Sequence, residues 1–100
     1  MSNVFNQLLA GKPSMRKRTF GDREIAIVDV DDASSGEHII EFHDPAIGSA
    51  GAHLAVVIPE GGDWGDALVS VSPRVNEISA AFVTWSLETA RAMAFPPATP

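Results

Sequence analysis

The chain of 100 residues contains no cysteine and no tyrosine, and only seven Lys and Arg stand against thirteen Asp and Glu. The absence of cysteine excludes disulfide bonds, thiolate catalysis and metal sites built on thiolates. No run of 18 or more uncharged apolar residues is present, so the sequence predicts neither a membrane-spanning helix nor a membrane partner. Because the start also lacks a signal-peptide pattern, we expect a cytoplasmic protein or a subunit of a complex assembled inside the cell.

Length and composition indicate one folded domain. The length is close to the commonest domain size, and 45% hydrophobic and 20% charged residues are ordinary for a globular chain. We divide the chain into an N-terminal helix and basic arm over residues 1–23, an α+β domain over 24–95, and a proline-rich tail over 96–100.

Charge is distributed unevenly along the chain. Residues 1–23 contain five Lys and Arg and one Asp, a net charge of +4, whereas residues 24–100 contain two Arg and twelve acidic residues, a net charge of −10. An acidic body repels nucleic acid and anionic membranes, so the composition does not favour nucleic acid as a partner. Phosphate contacts would have to come from the basic arm, from Lys12, Arg16, Lys17 and Arg18.

Four short apolar segments bounded by Asp, Gly and Pro are predicted to be strands. The connections between them are short, which predicts a four-stranded antiparallel meander. In the first strand Ile25 and Ile27 point to one face and Val28 and Val30 to the other, a pattern typical of a sheet covered on both sides. The predicted strands span residues 24–30, 38–43, 53–58 and 67–71.

The strongest helical pattern lies near the C-terminus. Ser72 followed by Pro73 is a helix-start signal, so we predict a long helix over residues 73–95 that packs on one face of the sheet. Consecutive prolines at 96 and 97 end it. A short helix is also predicted within the first ten residues, where apolar side chains recur at helical spacing.

The predicted C-terminal helix carries apolar residues on two sides. Ile78, Phe82 and Trp85 form the stripe expected to face the sheet. The opposite side contains Val83, Leu87 and Ala90, which indicates a second packing partner. That partner is either the N-terminal helix or another protein chain, and a two-fold homo-oligomer is the simplest form of the second alternative.

Trp64 lies in a glycine-rich acidic loop at residues 60–66. A large ring in such a loop is a candidate anchor for a protein partner. The same ring could instead fold back over the edge of the sheet and cover the core, and the flanking glycines are compatible with both interpretations.

The residues that suggest catalysis or metal binding are few. Glu41 and His43 share one face of a predicted strand, and His53 on the next strand could join them around a divalent ion. A solvent-facing strand explains the same pattern without a metal. Since no nucleophile is paired with a recognisable base, we predict no catalytic residues, no metal and no cofactor, and hence no enzyme.

The sequence therefore predicts a non-catalytic protein–protein interaction or assembly module, such as an accessory or structural subunit of a larger complex, viral and phage complexes included. Two alternatives remain open: an acidic inhibitor that mimics nucleic acid and blocks a basic site, and a small metal-dependent enzyme. The residues expected to contact the partner are Lys12, Arg16, Lys17, Arg18, Trp64, Val83, Leu87 and Ala90.

Overall fold

The computed structural model describes residues 14–46 and 51–98, which form an antiparallel sheet of five strands with one C-terminal helix packed against it. The α+β class and the antiparallel sheet agree with the prediction from the sequence. Strand order follows chain order, so every strand pairs with its neighbour in sequence. The elements are β1 (Ser14–Phe20), β2 (Arg23–Asp31), β3 (His38–His43), β4 (Leu54–Ile58), β5 (Leu68–Val71) and helix α1 (Ala80–Ala94).

The predicted count of four strands is wrong, because the basic arm is itself a strand. The four predicted segments are strands, and their bounds differ from the prediction by one residue at most. A fifth strand, β1, precedes them. It pairs with β2 along its whole length, from Ser14 opposite Asp29 to Phe20 opposite Arg23. The N-terminal helix predicted within residues 1–10 lies outside the described residues.

A two-residue turn explains why β1 folds onto β2. Only Gly21 and Asp22 separate the paired residues Phe20 and Arg23. Gly21 has φ of 63°, which fits the first central position of a type II′ turn, the geometry that suits the twist of a hairpin. Phe20 then joins the aromatic cluster over the sheet, with its ring centroid 5.5 Å from that of Phe82 and 5.4 Å from that of Trp85.

Helix α1 begins seven residues later than the sequence signal at Ser72 and Pro73 predicts. Ser72 caps a single turn, since its hydroxyl accepts a hydrogen bond from the Arg74 backbone N–H at 3.2 Å. The N-cap of the helix is Ser79, whose side chain accepts from the Phe82 backbone N–H at 3.2 Å. Both serines fit the cap preference, so the local signal alone could not choose between them.

The core lies between α1 and one face of the sheet. Phe82 and Ala90 of the helix are buried against aliphatic and aromatic side chains of the three central strands. We call this side of the sheet the covered face; its buried apolar residues are Ile25, Ile27, Ile40, Phe42, Leu54, Val56 and Ile58. Among the described residues, no helix is long and apolar enough to cross a membrane.

Candidate interaction surface

The sheet's second face carries an apolar row at one end. Side chains alternate along a strand, so the residues between those of the covered face point away from α1. The cross-strand pairs Val30–Ile39, Ile39–Val57 and Val57–Leu68 place four apolar side chains side by side across β2 to β5. We call this side the open face and these four residues the open-face row: Val30, Ile39, Val57 and Leu68.

Neither helical element in residues 14–46 and 51–98 packs on the open face. Both α1 and Trp64 pack against the buried cluster on the covered face. On the open face Leu68 is 69% exposed and Met15 is 67% exposed, while Val28 and the three inner members of the row are half-buried among their neighbours. An antiparallel sheet that faces water on one side normally carries polar residues there. The open-face row departs from that pattern.

The predicted outward face of the helix is wrong. Ala90 is 0% exposed and belongs to the core. Val83 and Leu87 are half-buried and pack against the same cluster. The outward side instead holds Thr84 and Glu88, together with small alanines. The error arose because the helix buries Ser86 and Thr89, polar residues that hydrophobic periodicity assigns to solvent.

The basic residues of β1 are exposed but divided between two faces. Lys12 lies outside the described residues. Arg16 and Arg18 pair with Ile27 and Ile25, so they point to the covered side, whereas Lys17 lies between them on the open face. Lys17 Nζ is 3.8 Å from Glu24 Oε1, an exposed pair of the kind that adds little stability. The three cations thus form a charged sheet edge that is open to a partner from both sides.

Acidic residues gather at the end of the sheet where the open-face row lies. Two loops meet there, one after β2 and one after β4. Gly36 in the first loop lies against Glu60 in the second. A Cβ atom added to Gly36 would lie 2.5 Å from the Glu60 carboxyl carbon. Gly36 also has φ of 76°, which favours glycine. We call this region the acidic end; its carboxylates are Asp31, Asp32, Glu37, Glu60, Asp63 and Asp66.

Local hydrogen bonds order the carboxylates of the acidic end. Asp32 Oδ1 accepts from the Ser34 hydroxyl at 2.7 Å and from the Ser34 backbone N–H at 2.9 Å. These two bonds favour the ionised form and lower the pKa of Asp32 below its ordinary value, with the hydroxyl as the largest cause. Asp63 and Asp66 form a reciprocal capping box around a single 3-10 turn at Trp64–Asp66. The Ser35 hydroxyl also donates to Glu37 Oε1 at 3.2 Å, so turn chemistry accounts for four of the six carboxylates.

Trp64 is half-buried and packs against the core, which fits the interpretation of a ring that folds back over the sheet. The Arg91 guanidinium carbon lies 5.9 Å from its ring centroid, within the range of a cation–π contact.

The Glu41, His43 and His53 side chains do not converge. His43 Nε2 lies 3.2 Å from Glu41 Oε1 on the open face. His53 is 5% exposed, and its Nδ1 accepts a hydrogen bond from the Asp44 backbone N–H at 3.1 Å. Within residues 14–46 and 51–98, no group of three or more His, Asp or Glu could hold a metal ion.

An ion pair between the partly exposed Arg23 and the buried Asp44 lies at the opposite end of the sheet, and sequence reasoning did not find it. Asp44 is fully buried, and its Oδ2 lies 3.0 Å from Arg23 Nη2 in a direction that is not aligned for a hydrogen bond. Its Oδ1 accepts from the Ala46 backbone N–H at 2.9 Å. The guanidinium of Arg23 also lies over the Phe20 ring, 5.4 Å from its centroid. These contacts hold the start of β2 against the end of β3, a structural role.

Comparison of the chain with protein-family models, with curated proteins and with solved structures gave no match.

Proposed function

We propose that the chain is a non-catalytic protein–protein interaction module that docks through the open face of its sheet. The observation that carries the proposal is the open-face row, which sets four apolar side chains next to one another on the side opposite α1. Contiguous exposed apolar patches on soluble domains mark interaction surfaces, because their exposure to water is unfavourable until a partner covers them.

The surroundings of the open face favour one orientation of a bound partner. Cationic β1 forms one side edge of the sheet, and the acidic end borders the row. Charges at the rim of an interface steer the approach and fix the register, while the apolar centre provides most of the affinity. Lys17, whose side chain lies on the open face, therefore remains in the proposal as a rim contact, whereas Arg16 and Arg18 lie on the same edge strand with their side chains on the covered side. Val83, Leu87 and Ala90 are withdrawn from it, because Ala90 is buried in the core and the other two pack against it.

A photoreactive amino acid placed at position 39 tests this function in cells that make the protein. Ile39 lies inside the open-face row, and the matched control is Thr84, which is exposed on α1. We expect a covalent adduct to a polypeptide from position 39, lost when Val57→Lys is added, and none from position 84. Equal labelling from both positions, or no adduct from position 39, would contradict docking through this face.

A second candidate function rests on the acidic end. Six carboxylates on two contacting loops resemble the spaced negative charges of a nucleic-acid backbone, so the chain could block a basic groove on another protein. This function predicts that DNA or RNA displaces the chain from its partner and that affinity falls steeply with salt. A partner captured at position 39 whose affinity is insensitive to salt would favour the apolar face instead.

A further inference from the structure

Strand β5 forms an edge of the sheet with no charge and no proline. All four of its residues are exposed, including Val69 at 46% and Val71 at 42%. Together with Leu68 they make up three of the five large exposed hydrophobic residues in the described part of the chain. Natural edge strands are usually blunted by charge, proline or a bulge, and within the described part of the chain β5 is protected only by its short length.

The backbone groups of β5 that face outward can be assigned. The Ser72 N–H donates to the His53 carbonyl at 3.1 Å, so Ser72 points its backbone groups towards β4. Successive residues of a strand point these groups to alternate sides. Ser70 therefore also bonds inward, while the N–H and C=O groups of Val69 and Val71 point to the free edge. Four backbone groups are available there to a pairing strand.

Charge distinguishes the two edges of the sheet as surfaces for self-pairing. Edge strand β1 contains Arg16, Lys17 and Arg18 and no acidic residue. Two copies that met along β1 would bring like charges together, which is unfavourable. Two copies that met along β5 would meet no such repulsion, because β5 has no ionisable side chain.

A two-fold axis through Ser70 pairs the outward backbone groups of the two copies and also places apolar side chains opposite one another. Directly opposed residues in an antiparallel pair share a face. With Ser70 opposite Ser70, each Val69 lies opposite Val71 of the second copy on the covered side, and these are the residues whose backbone groups point outward. Counted along the chain, the same register sets Arg74, which is exposed, opposite Asp66 of the second copy, just beyond the ends of the paired strands. An Arg and a carboxylate on facing segments favour this arrangement.

We infer that β5 pairs antiparallel with β5 of a second copy of the chain, forming a continuous ten-stranded sheet about a two-fold axis. The pairing deepens the proposed function and rests on it, because Leu68 belongs to both the open-face row and β5. It joins two open faces into one broader docking surface, with two rows in the same plane.

Light scattering over a range of concentrations tests the pairing, because it measures the mass of the full chain in solution. We expect a mass twice the 10.6 kDa of one chain. Val69→Pro removes an outward N–H from each copy and should weaken the dimer by about a hundredfold, since two hydrogen bonds are lost. The matched control is Thr19→Pro on β1, whose N–H also points outward because Phe20 and Arg23 close the hairpin turn. It should leave the dimer intact.

Two further variants keep the test decisive if Val69→Pro does not fold. Val69→Lys places like charges across the pair and should give monomers with an unchanged circular dichroism spectrum. Arg74→Glu should weaken the dimer by several-fold, with the difference from wild type reduced at high salt.

Three outcomes would overturn the pairing: a wild-type monomer at every concentration, a dimer that folded Val69→Lys leaves intact, and equal weakening by Thr19→Pro and Val69→Pro. The crosslink at position 39 separates these failures from failure of the proposed function. A monomer that still forms the adduct removes the β5 pairing alone. A dimer through β5 without any adduct removes open-face docking alone.

Discussion

The two faces of the sheet are built from the same strands but differ in how deeply their apolar side chains are buried. On the covered face Ile25, Ile27, Ile40 and Phe42 are all 0% exposed and form one buried cluster with Phe82 of α1. On the open face the neighbouring residues Val30, Ile39 and Val57 are equally apolar yet only half-buried. The difference teaches that apolar content of a strand does not reveal which side stabilises the fold. Within residues 14–46 and 51–98, it is the position of the helix that distinguishes the buried face from the half-buried one.

The largest expected contrast is between two residues of β3. Phe42→Ala removes a fully buried ring from the covered face and should lower the free energy of unfolding by about 3–5 kcal/mol. Ile39→Ala on the open face should cost less than about 1.5 kcal/mol, because water already reaches that side chain. Urea denaturation of the isolated chain measures both. Equal losses would show that the open face is packed, and the contrast between the faces would then be wrong.

A finer contrast uses adjacent residues of β4 and the same substitution. Val56→Thr places a hydroxyl in the core and should destabilise the protein by about 1–3 kcal/mol. Val57→Thr places it on the open face, where threonine suits a strand, and should change stability by no more than about 0.5 kcal/mol. The two variants differ from each other only in the face that receives the hydroxyl. Comparable midpoints of thermal unfolding would refute the assignment of the faces.

The smallest expected effect lies at the acidic end, away from both faces. Ser34→Ala removes the hydroxyl bond to Asp32 and should raise the pKa of that carboxyl towards its ordinary value. A lowered pKa stabilises the folded state above the unfolded pKa, and that stability is lost as pH falls through the folded pKa. The variant should therefore lose less stability on acidification. NMR titration of the Asp32 carboxyl carbon reports the shift, and remote Ser70→Ala should leave it unchanged.

Much of the sheet could be predicted because its strands are short apolar runs between turn residues. Strand β1 could not be recognised in this way, since Arg16, Lys17 and Arg18 conceal its alternation. The Gly-Asp pair at 21–22 was the available signal, because such a pair is typical of a two-residue hairpin turn. The prediction of which helix face points outward was wrong for a different reason. Tertiary packing buries the polar residues Ser86 and Thr89 and leaves several alanines exposed.

The open-face row was only half visible in the sequence. Apolar residues on both sides of β2 were apparent, but that pattern predicted a sheet covered on both faces. Identifying the row required the register, which sets Val30 opposite Ile39 and Val57 opposite Leu68. Register depends on turn geometry and on which face is buried, and neither can be read from one strand alone.

The most direct measurement is the exposure of the open face in the isolated chain at low concentration. A soluble paramagnetic agent broadens the NMR signals of methyl groups that it can approach, so Ile, Val and Leu methyl labelling reads both faces at once. The proposal predicts strong broadening for Val30, Ile39, Val57 and Leu68, and little for Ile25, Ile27, Ile40 and Val56. Equal protection of the two sets would mean that the chain covers its own open face, and docking through that face would be contradicted.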